Sequence, residues 1–194
     1  MKFNTPKVNL SNGISVLIIV LLLVPQTRHF FQLQLNKLFS LIPPSVEVRT
    51  ERRKISDFNF KLKSIDGDFY NLQHIEYKTA IVSFWATWCP PCIAELSSLQ
   101  QLYNDYGDKV EFVFISNEKL EVLNAFLKKN GYDFPVYIVQ EEAKDIYFKP
   151  RTIPRTLLIN RGKEVVIIEE GAKNWNSKKV RDVLDKLLNG EIVY

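Results

Sequence analysis

The sequence predicts an α/β domain in which helices flank a mixed β-sheet. Three observations support this prediction. Residues 80–86 form an apolar, β-rich run that barely alternates, which is typical of a strand buried on both faces. Segments with strand-like and helix-like patterns then follow one another from 93 to 139. A hairpin and a final helix end the chain, and this order favours a sheet with both parallel and antiparallel strands, covered on both faces.

The first 27 residues predict a membrane anchor. Residues 14–24 form an almost unbroken apolar run that Pro25 closes, and extending it back to Val8 brings it near the ~17-residue minimum for a membrane span. The residues that follow offer no A-x-A cleavage pattern, so we favour an uncleaved anchor over a cleaved signal peptide. The numbers of lysines and arginines on the two sides of this apolar run are nearly equal, so the positive-inside rule does not give its orientation in the membrane.

Residues 28–56 predict an amphipathic helix followed by a basic linker. One helical stripe collects Phe31, Leu35, Leu38 and Ile42. This stripe could lie in the membrane interface, pack on the domain or continue the anchor. Pro43 and Pro44 end the helix, and a basic, polar stretch leads to the domain at 57–194.

Each element of the domain has its own signal. Alternating apolar residues on either side of Asp66-Gly67 predict a hairpin over 58–72. After the central strand and its helix, Asn130-Gly131 is a stop signal, and Asn176 or Ser177 is a candidate cap for the last helix. The remaining predictions are strands at 110–116 and 136–139, helices at 118–130 and 141–147, and a hairpin joining 156–160 to 164–169.

Cys89-Pro90-Pro91-Cys92 follows the central strand and opens the next helix. Prolines suit the first helical turn, where an N–H would have no intrahelical partner. Two intervening residues at a helix start bring both sulfurs within disulfide reach, and the positive helix end stabilises a thiolate. We therefore expect Cys89, at the open end, to be the nucleophile and Cys92 to resolve the mixed disulfide.

A structural zinc site and a structural disulfide are the alternatives to a redox-active cysteine pair. A structural zinc site needs four ligands, but the chain has two cysteines, and its histidines, His29 and His74, are distant from them. A purely structural disulfide closing so small a loop would stabilise little through chain entropy. A redox-active pair is therefore favoured, and no metal or cofactor is expected. Having only these two cysteines fits an oxidising compartment, and it fits a thiol-poor cytosolic protein too.

The segments SFWATWCPPC, IAEL and TIPRTLLIN resemble the TlpA/ResA-type membrane-anchored thiol–disulfide oxidoreductases, which are thioredoxin-like. The resemblance covers roughly 57–190, and it implies a thioredoxin-like fold with an extra helix and strand at 118–139. It also implies that the Ile153-Pro154 bond is cis and lies against the disulfide, whereas most prolines of this kind are trans. A cis bond would let Ile153 offer its backbone N–H and C=O to an extended substrate.

The same resemblance places a glutamate near the sulfurs, at Glu95. If this side chain is partly buried, its pKa rises and it can exchange a proton with Cys92. A solvated surface glutamate is the alternative. Ser83 stands where thioredoxins proper have a buried aspartate, which shifts any proton relay towards Glu95. Substrate contacts are expected from Trp88, Pro90, Ile153 and Pro154.

Together these features predict a membrane-anchored disulfide reductase whose domain faces the periplasm or another extracytoplasmic space. Its expected partners are a disulfide-containing protein, for which the resemblance suggests apo-cytochrome c, and a membrane thiol donor. The formal charge of +4 does not suggest a nucleic-acid surface. The alternatives are an oxidase or isomerase on the same fold, a thiol peroxidase, which would need a third cysteine, and a redox-silent membrane adaptor.

Overall fold

The computed structural model describes Ser15, residues 41–46 and residues 52–191 of the 194-residue chain. Its strands are β1 (Lys61–Ser64), β2 (Phe69–Asn71), β3 (Ala80–Phe84), β4 (Glu111–Ser116), β5 (Val136–Val139), β6 (Arg155–Ile159) and β7 (Val165–Glu170). Its α-helices are α1 (Pro90–Tyr106), α2 (Leu120–Asn130) and α3 (Lys178–Leu188), and two short 3₁₀ helices span Leu72–Ile75 and Ile146–Phe148.

The seven strands form one mixed sheet in the order β2-β1-β5-β4-β3-β6-β7. The central strand, β3, runs parallel to β4 and antiparallel to β6, and all five of its residues are buried. Both predicted hairpins are present, as β1 with β2 and as β6 with β7. The prediction of a mixed sheet with a doubly buried central strand is therefore confirmed.

All three α-helices cover the same face of this sheet. Their buried residues share one apolar cluster with Ile81, Phe112 and Phe114, which point to that face from β3 and β4. The reason is that β3, β4 and β5 follow one another across the sheet, and successive right-handed crossovers in one direction place their helices on one side. Our prediction that the sheet is covered on both faces holds, but the α-helices themselves flank only one.

The opposite face is covered by irregular chain and the two 3₁₀ helices. Its cluster contains Phe58, Phe60 and Phe148 against Val82 and Phe84 of the central strand. Phe58 and Phe148 meet edge to face, with ring centroids 5.6 Å apart. These aromatic side chains fill the layer that a helix would otherwise occupy.

Two local predictions were wrong. The helix expected over 141–147 is absent, and only the 3₁₀ turn Ile146–Phe148 forms there. Asp145 caps that turn, and its carboxylate also accepts hydrogen bonds from the N–H and hydroxyl of Ser56, each 2.8 Å long. An aspartate used as a cap starts a helical turn rather than continuing one. The helix predicted over 118–130 begins two residues later, at Leu120, which is 37% exposed.

Part of the predicted linker packs on the domain. Backbone hydrogen bonds join Ile55 to Lys163 and Val165 to Arg53, and Ile55 is buried. Further upstream, both the N–H and the hydroxyl of Ser45 donate to Glu169. Apart from Ser15, the predicted anchor lies outside the described residues, and so does nearly all of the predicted amphipathic helix. Within the part of the chain that is described, no helix has the length and apolar character needed to cross a membrane.

Candidate active site

Cys89 and Cys92 form a disulfide at the N-terminus of α1, with their Cα atoms 5.2 Å apart. Cys89 is the N-cap, in an extended backbone conformation, and the two prolines occupy the first two helical positions. The N–H of Cys92 points at the Cys89 sulfur, at 3.3 Å. In the reduced protein, this amide and the positive end of the helix would stabilise a thiolate on Cys89.

The two sulfurs differ in access. Cys89 keeps 3% of its surface exposed and Cys92 keeps none. Only the outer cysteine therefore has any surface that a partner could reach. The predicted roles, Cys89 as nucleophile and Cys92 as resolving cysteine, require this order of access.

The Ile153–Pro154 peptide bond is cis, as the resemblance implies. The carbonyl oxygen of Ile153 lies 3.7 Å from the Cys89 sulfur. Pro154 immediately precedes β6, the antiparallel neighbour of β3, so the sheet holds this turn beside the cysteine pair. Ile153 and Cys89 are therefore neighbours in space, although they are 64 positions apart in sequence.

An apolar groove of about 480 Å³ opens beside the disulfide. Trp88, which is 67% exposed, and Ile153 line its edge nearest the sulfurs. Phe84, Phe148 and Val139 form part of its walls. Trp88, predicted to contact the substrate, therefore borders the groove, and Pro90, predicted to do the same, is half-buried in the first helical turn.

Glu95 is 1% exposed, which excludes the alternative of a solvated surface glutamate. Burial raises the pKa of its carboxyl group to about 8. The hydroxyl of Thr156 donates to one carboxylate oxygen at 2.9 Å, and the N–H of Lys173 donates to the other at 3.3 Å. These bonds and the nearby indole of Trp175 favour the charged form and offset part of the rise in pKa. Such a group can gain or lose a proton near neutral pH.

Thr156 connects Glu95 to Ser83, and our sequence reasoning did not identify this role. Its hydroxyl lies 2.8 Å from the Ser83 hydroxyl, and all three side chains are buried. A hydroxyl carries one proton, so Thr156 donates to Glu95 when the carboxylate is charged and can accept from it when it is protonated. The Ile-Pro-x-Thr motif contained the signal, because it places Thr156 opposite Ser83 in the β3–β6 register.

Glu118 is a second residue that the sequence did not single out. Its carboxylate accepts hydrogen bonds from the N–H and the hydroxyl of Thr87, two residues before Cys89. Among residues 41–46 and 52–191, no group of three or more His, Cys, Asp or Glu side chains could hold a metal ion. His74 lies against the Tyr70 ring, with centroids 5.3 Å apart. His29 lies outside the described residues.

Comparison with known protein families gives a match between residues 54–167 and the AhpC/TSA family. Thiol-disulfide oxidoreductase ResA of Halalkalibacterium halodurans is 31% identical over 58% of this chain and 65% of its own length. ResA of Oceanobacillus iheyensis is 37% identical over 59% of this chain and 62% of its own length. The chain therefore aligns with a little under two thirds of each of these two relatives.

Solved structures give the same fold. A thioredoxin-family thiol:disulfide interchange protein from Chlorobium tepidum superposes with a TM-score of 0.56 at 24% identity, covering 70% of this chain and 97% of that one. A DsbF homologue from Corynebacterium diphtheriae superposes with a TM-score of 0.58 at 20% identity. The match covers 75% of this chain and 91% of that one. At these identities the likeness shows the fold alone, and it confirms the expected thioredoxin-like fold.

Proposed function

Because the chain belongs to the AhpC/TSA family of thioredoxin-like proteins, we propose that it is a thiol–disulfide oxidoreductase that reduces disulfides in other proteins. The observation that carries this proposal is the Cys89–Cys92 disulfide at the start of α1, beside Ile153. The ResA relatives, which are named thiol-disulfide oxidoreductases, support the same reaction class.

The proposed first step begins from the reduced pair. The Cys89 thiolate attacks one sulfur of a substrate disulfide, forming a new S–S bond and breaking the old one. The second substrate sulfur leaves as a thiolate and takes a proton from solvent. The Cys92 N–H, 3.3 Å from the Cys89 sulfur, and the helix N-terminus stabilise the attacking thiolate before this step.

The proposed second step releases the product. Cys92 gives its proton to the Glu95 carboxylate and attacks the Cys89 sulfur, which restores the internal disulfide and expels the other substrate sulfur as a thiolate. Two electrons have then passed from the pair to the substrate. Glu95 suits this task because burial raises its pKa to about 8, so both of its protonation states are accessible near neutral pH.

Substrate positioning is assigned to the surface around the outer sulfur. We assign the backbone of Ile153, held by the cis bond to Pro154, to pairing with an extended substrate segment. Trp88, which lines the groove, and Pro90, which follows Cys89 in the first turn of α1, are assigned to the same contact surface. The substrate is a protein or peptide disulfide, since these backbone groups match an extended chain.

The location of the reaction is a separate part of the proposal. The apolar run at 14–24 supports a membrane anchor, with the domain in the periplasm or another extracytoplasmic space. A membrane thiol donor would then return the disulfide to the dithiol. Apo-cytochrome c is the substrate that the family resemblance suggests. Fractionation of cells producing the tagged full-length chain, with and without residues 1–27, tests the anchor.

Insulin reduction with dithiothreitol as electron donor tests the chemistry. The full-length chain should accelerate it, Cys89→Ser should abolish the acceleration, and Cys92→Ala should accumulate a mixed disulfide. Recovery of that mixed disulfide from cells would identify the natural partner, because the partner stays covalently bound. If neither wild type nor Cys89→Ser accelerated insulin reduction, the proposal would be rejected and a redox-silent adaptor would remain.

The competing activities give different results. An oxidase or isomerase would show a more positive reduction potential. A thiol peroxidase would consume hydrogen peroxide, yet the chain has no third cysteine to serve as a separate peroxide-reactive residue. Peroxide consumption that depends on Cys89 would favour that alternative.

A further inference from the structure

We propose that Glu118 is a positioning residue that holds the loop carrying Trp88 and Cys89 in its reactive place. The residue follows β4 and lies outside the Cys-Pro-Pro-Cys motif. Its effect on catalysis rests on the proposed disulfide reductase function, but its effect on the loop can be measured without a substrate.

Glu118 makes two hydrogen bonds to Thr87, a residue of that loop. One carboxylate oxygen of Glu118 accepts from the Thr87 N–H at 2.6 Å, and the other accepts from the Thr87 hydroxyl at 2.7 Å. Ser116, the last residue of β4, holds Glu118 at both its backbone and its side chain. The backbone N–H of Glu118 donates to the Ser116 hydroxyl at 3.3 Å, and that hydroxyl lies 3.5 Å from a carboxylate oxygen of Glu118. Charged acceptors make stronger hydrogen bonds than neutral ones, so this is a firm attachment for a short loop.

The contact between Glu118 and Thr87 lies just beyond the end of β3, where hydrogen bonds between strands no longer fix the backbone. The backbone of β3 remains bonded to β4 as far as Trp85, whose N–H donates to Ile115. A turn then closes with the N–H of Cys89 donating to Ala86, and Thr87 lies inside that turn. The amide of a second turn residue has no partner within the turn itself. Glu118 supplies that partner, and so connects the carboxyl ends of two adjacent parallel strands.

The loop position matters because both of its functional groups depend on it. Trp88 is 67% exposed, so its ring has little packing of its own to fix it. Cys89 reaches solvent through only 3% of its surface. A displacement of about 1 Å can lower the rate of a positioned reaction by roughly 10²-fold, so loosening this turn should impair attack on a protein disulfide.

Three substitutions separate geometry from charge. Glu118→Ala removes both hydrogen bonds. Glu118→Gln can keep both, because its amide oxygen accepts from the Thr87 N–H while its NH₂ group donates to the Thr87 hydroxyl oxygen. Thr87→Val removes only the hydroxyl contact. Glu121→Ala is the matched control, since it removes an exposed glutamate three residues further along the same segment.

The first readout is iodide quenching and fluorescence anisotropy of the full-length chain. Trp85 and Trp175 are 2% and 0% exposed, so iodide should reach Trp88 almost selectively. The second readout is kcat and KM for insulin reduction, compared with the rate at which dithiothreitol alone reduces the Cys89–Cys92 disulfide. Circular dichroism shows whether each variant folds.

For Glu118→Ala we expect lower Trp88 anisotropy, stronger quenching and about tenfold lower kcat/KM for insulin, with a nearly unchanged rate with dithiothreitol. For Glu118→Gln and Glu121→Ala, kcat/KM should stay within about twofold of the wild-type value. For Thr87→Val, kcat/KM should lie between the values of wild type and Glu118→Ala.

If Glu118→Ala does not fold, Thr87→Val and Glu118→Gln still decide the question. Wild-type anisotropy and kcat/KM in both Glu118→Ala and Thr87→Val would overturn the proposal, as would equal losses in Glu118→Gln and Glu118→Ala. If wild type does not reduce insulin, the proposed function fails while the Trp88 readouts still judge the role of Glu118.

Discussion

The hydroxyl of Thr156 lies 2.9 Å from a carboxylate oxygen of Glu95, and both side chains are buried beneath the cysteine pair's helix. This relationship joins the cis-proline strand to α1 through one hydrogen bond. It also sets how easily Glu95 ionises, because the bond favours the charged form against the burial that opposes it.

Thr156→Val should raise the pKa of Glu95 above its wild-type value of about 8. The substitution keeps the side-chain shape and removes the donor that stabilises the carboxylate. A carbon-13 NMR titration of the Glu95 carboxyl group measures the change. Thr152→Val is the control, because it removes an exposed threonine hydroxyl that donates a hydrogen bond to Glu170. It should leave the pKa of Glu95 unchanged. A lower pKa in Thr156→Val would contradict the assignment.

Glu95→Gln should change how stability depends on pH. The folded-state pKa of about 8 lies above the ordinary value of 4.5, so the folded chain retains a proton that the unfolded chain loses. The contribution of protonated Glu95 to the free energy of unfolding is therefore fully present below pH 4.5 and is lost as pH rises through about 8. Urea unfolding across this range should show wild type losing stability relative to Glu95→Gln. A constant difference between the two proteins would contradict burial of an ionisable Glu95.

Glu95→Gln should also slow the release of product more than the initial attack. Without a proton acceptor, Cys92 forms its thiolate less readily, and general acid–base groups of this kind contribute about 10²-fold or more. Quenched-flow measurement of the mixed disulfide should show that it persists in this variant. Glu121→Gln removes an exposed carboxylate and serves as the control. Unchanged decay of the mixed disulfide would show that the proton goes elsewhere.

The reduction potential should lie nearer to about −270 mV than to about −120 mV. Pro91 has no N–H, so the Cys92 amide is the N-terminal donor that reaches the Cys89 sulfur. A less stabilised thiolate favours the disulfide and makes the dithiol a better reductant. Equilibration with glutathione measures the value. A result above about −180 mV would favour an oxidase or isomerase.

Pro91→Ala should make the potential more positive, by about 30 mV or more. The substitution adds an N–H at the second helical position, from which an N-cap side chain accepts hydrogen bonds. That extra donor would stabilise the Cys89 thiolate. Pro90→Ala adds an N–H at the first position, which does not point at the N-cap side chain, so its shift should be smaller. Equal shifts in the two variants would argue against this cause.

Several features were predictable because they depend on local sequence. The central strand, the helix opened by Cys89-Pro90-Pro91-Cys92 and the Gly131 cap, with its φ of 69°, all follow from short-range patterns. The predicted helix over 141–147 failed because Asp145 binds Ser56, 89 residues away in sequence. No local window contains that interaction.

By itself, the sequence determined which residues could carry the chemistry, because two cysteines separated by two prolines after a buried strand can form a disulfide at a helix start. Only the tertiary structure decided what surrounds them. It brought Ile153 to the Cys89 sulfur, buried Glu95 beside Thr156, and connected Glu118 to Thr87. These contacts join residues that are 64, 61 and 31 positions apart, so they depend on how strands pair across the sheet rather than on the pattern within any one element.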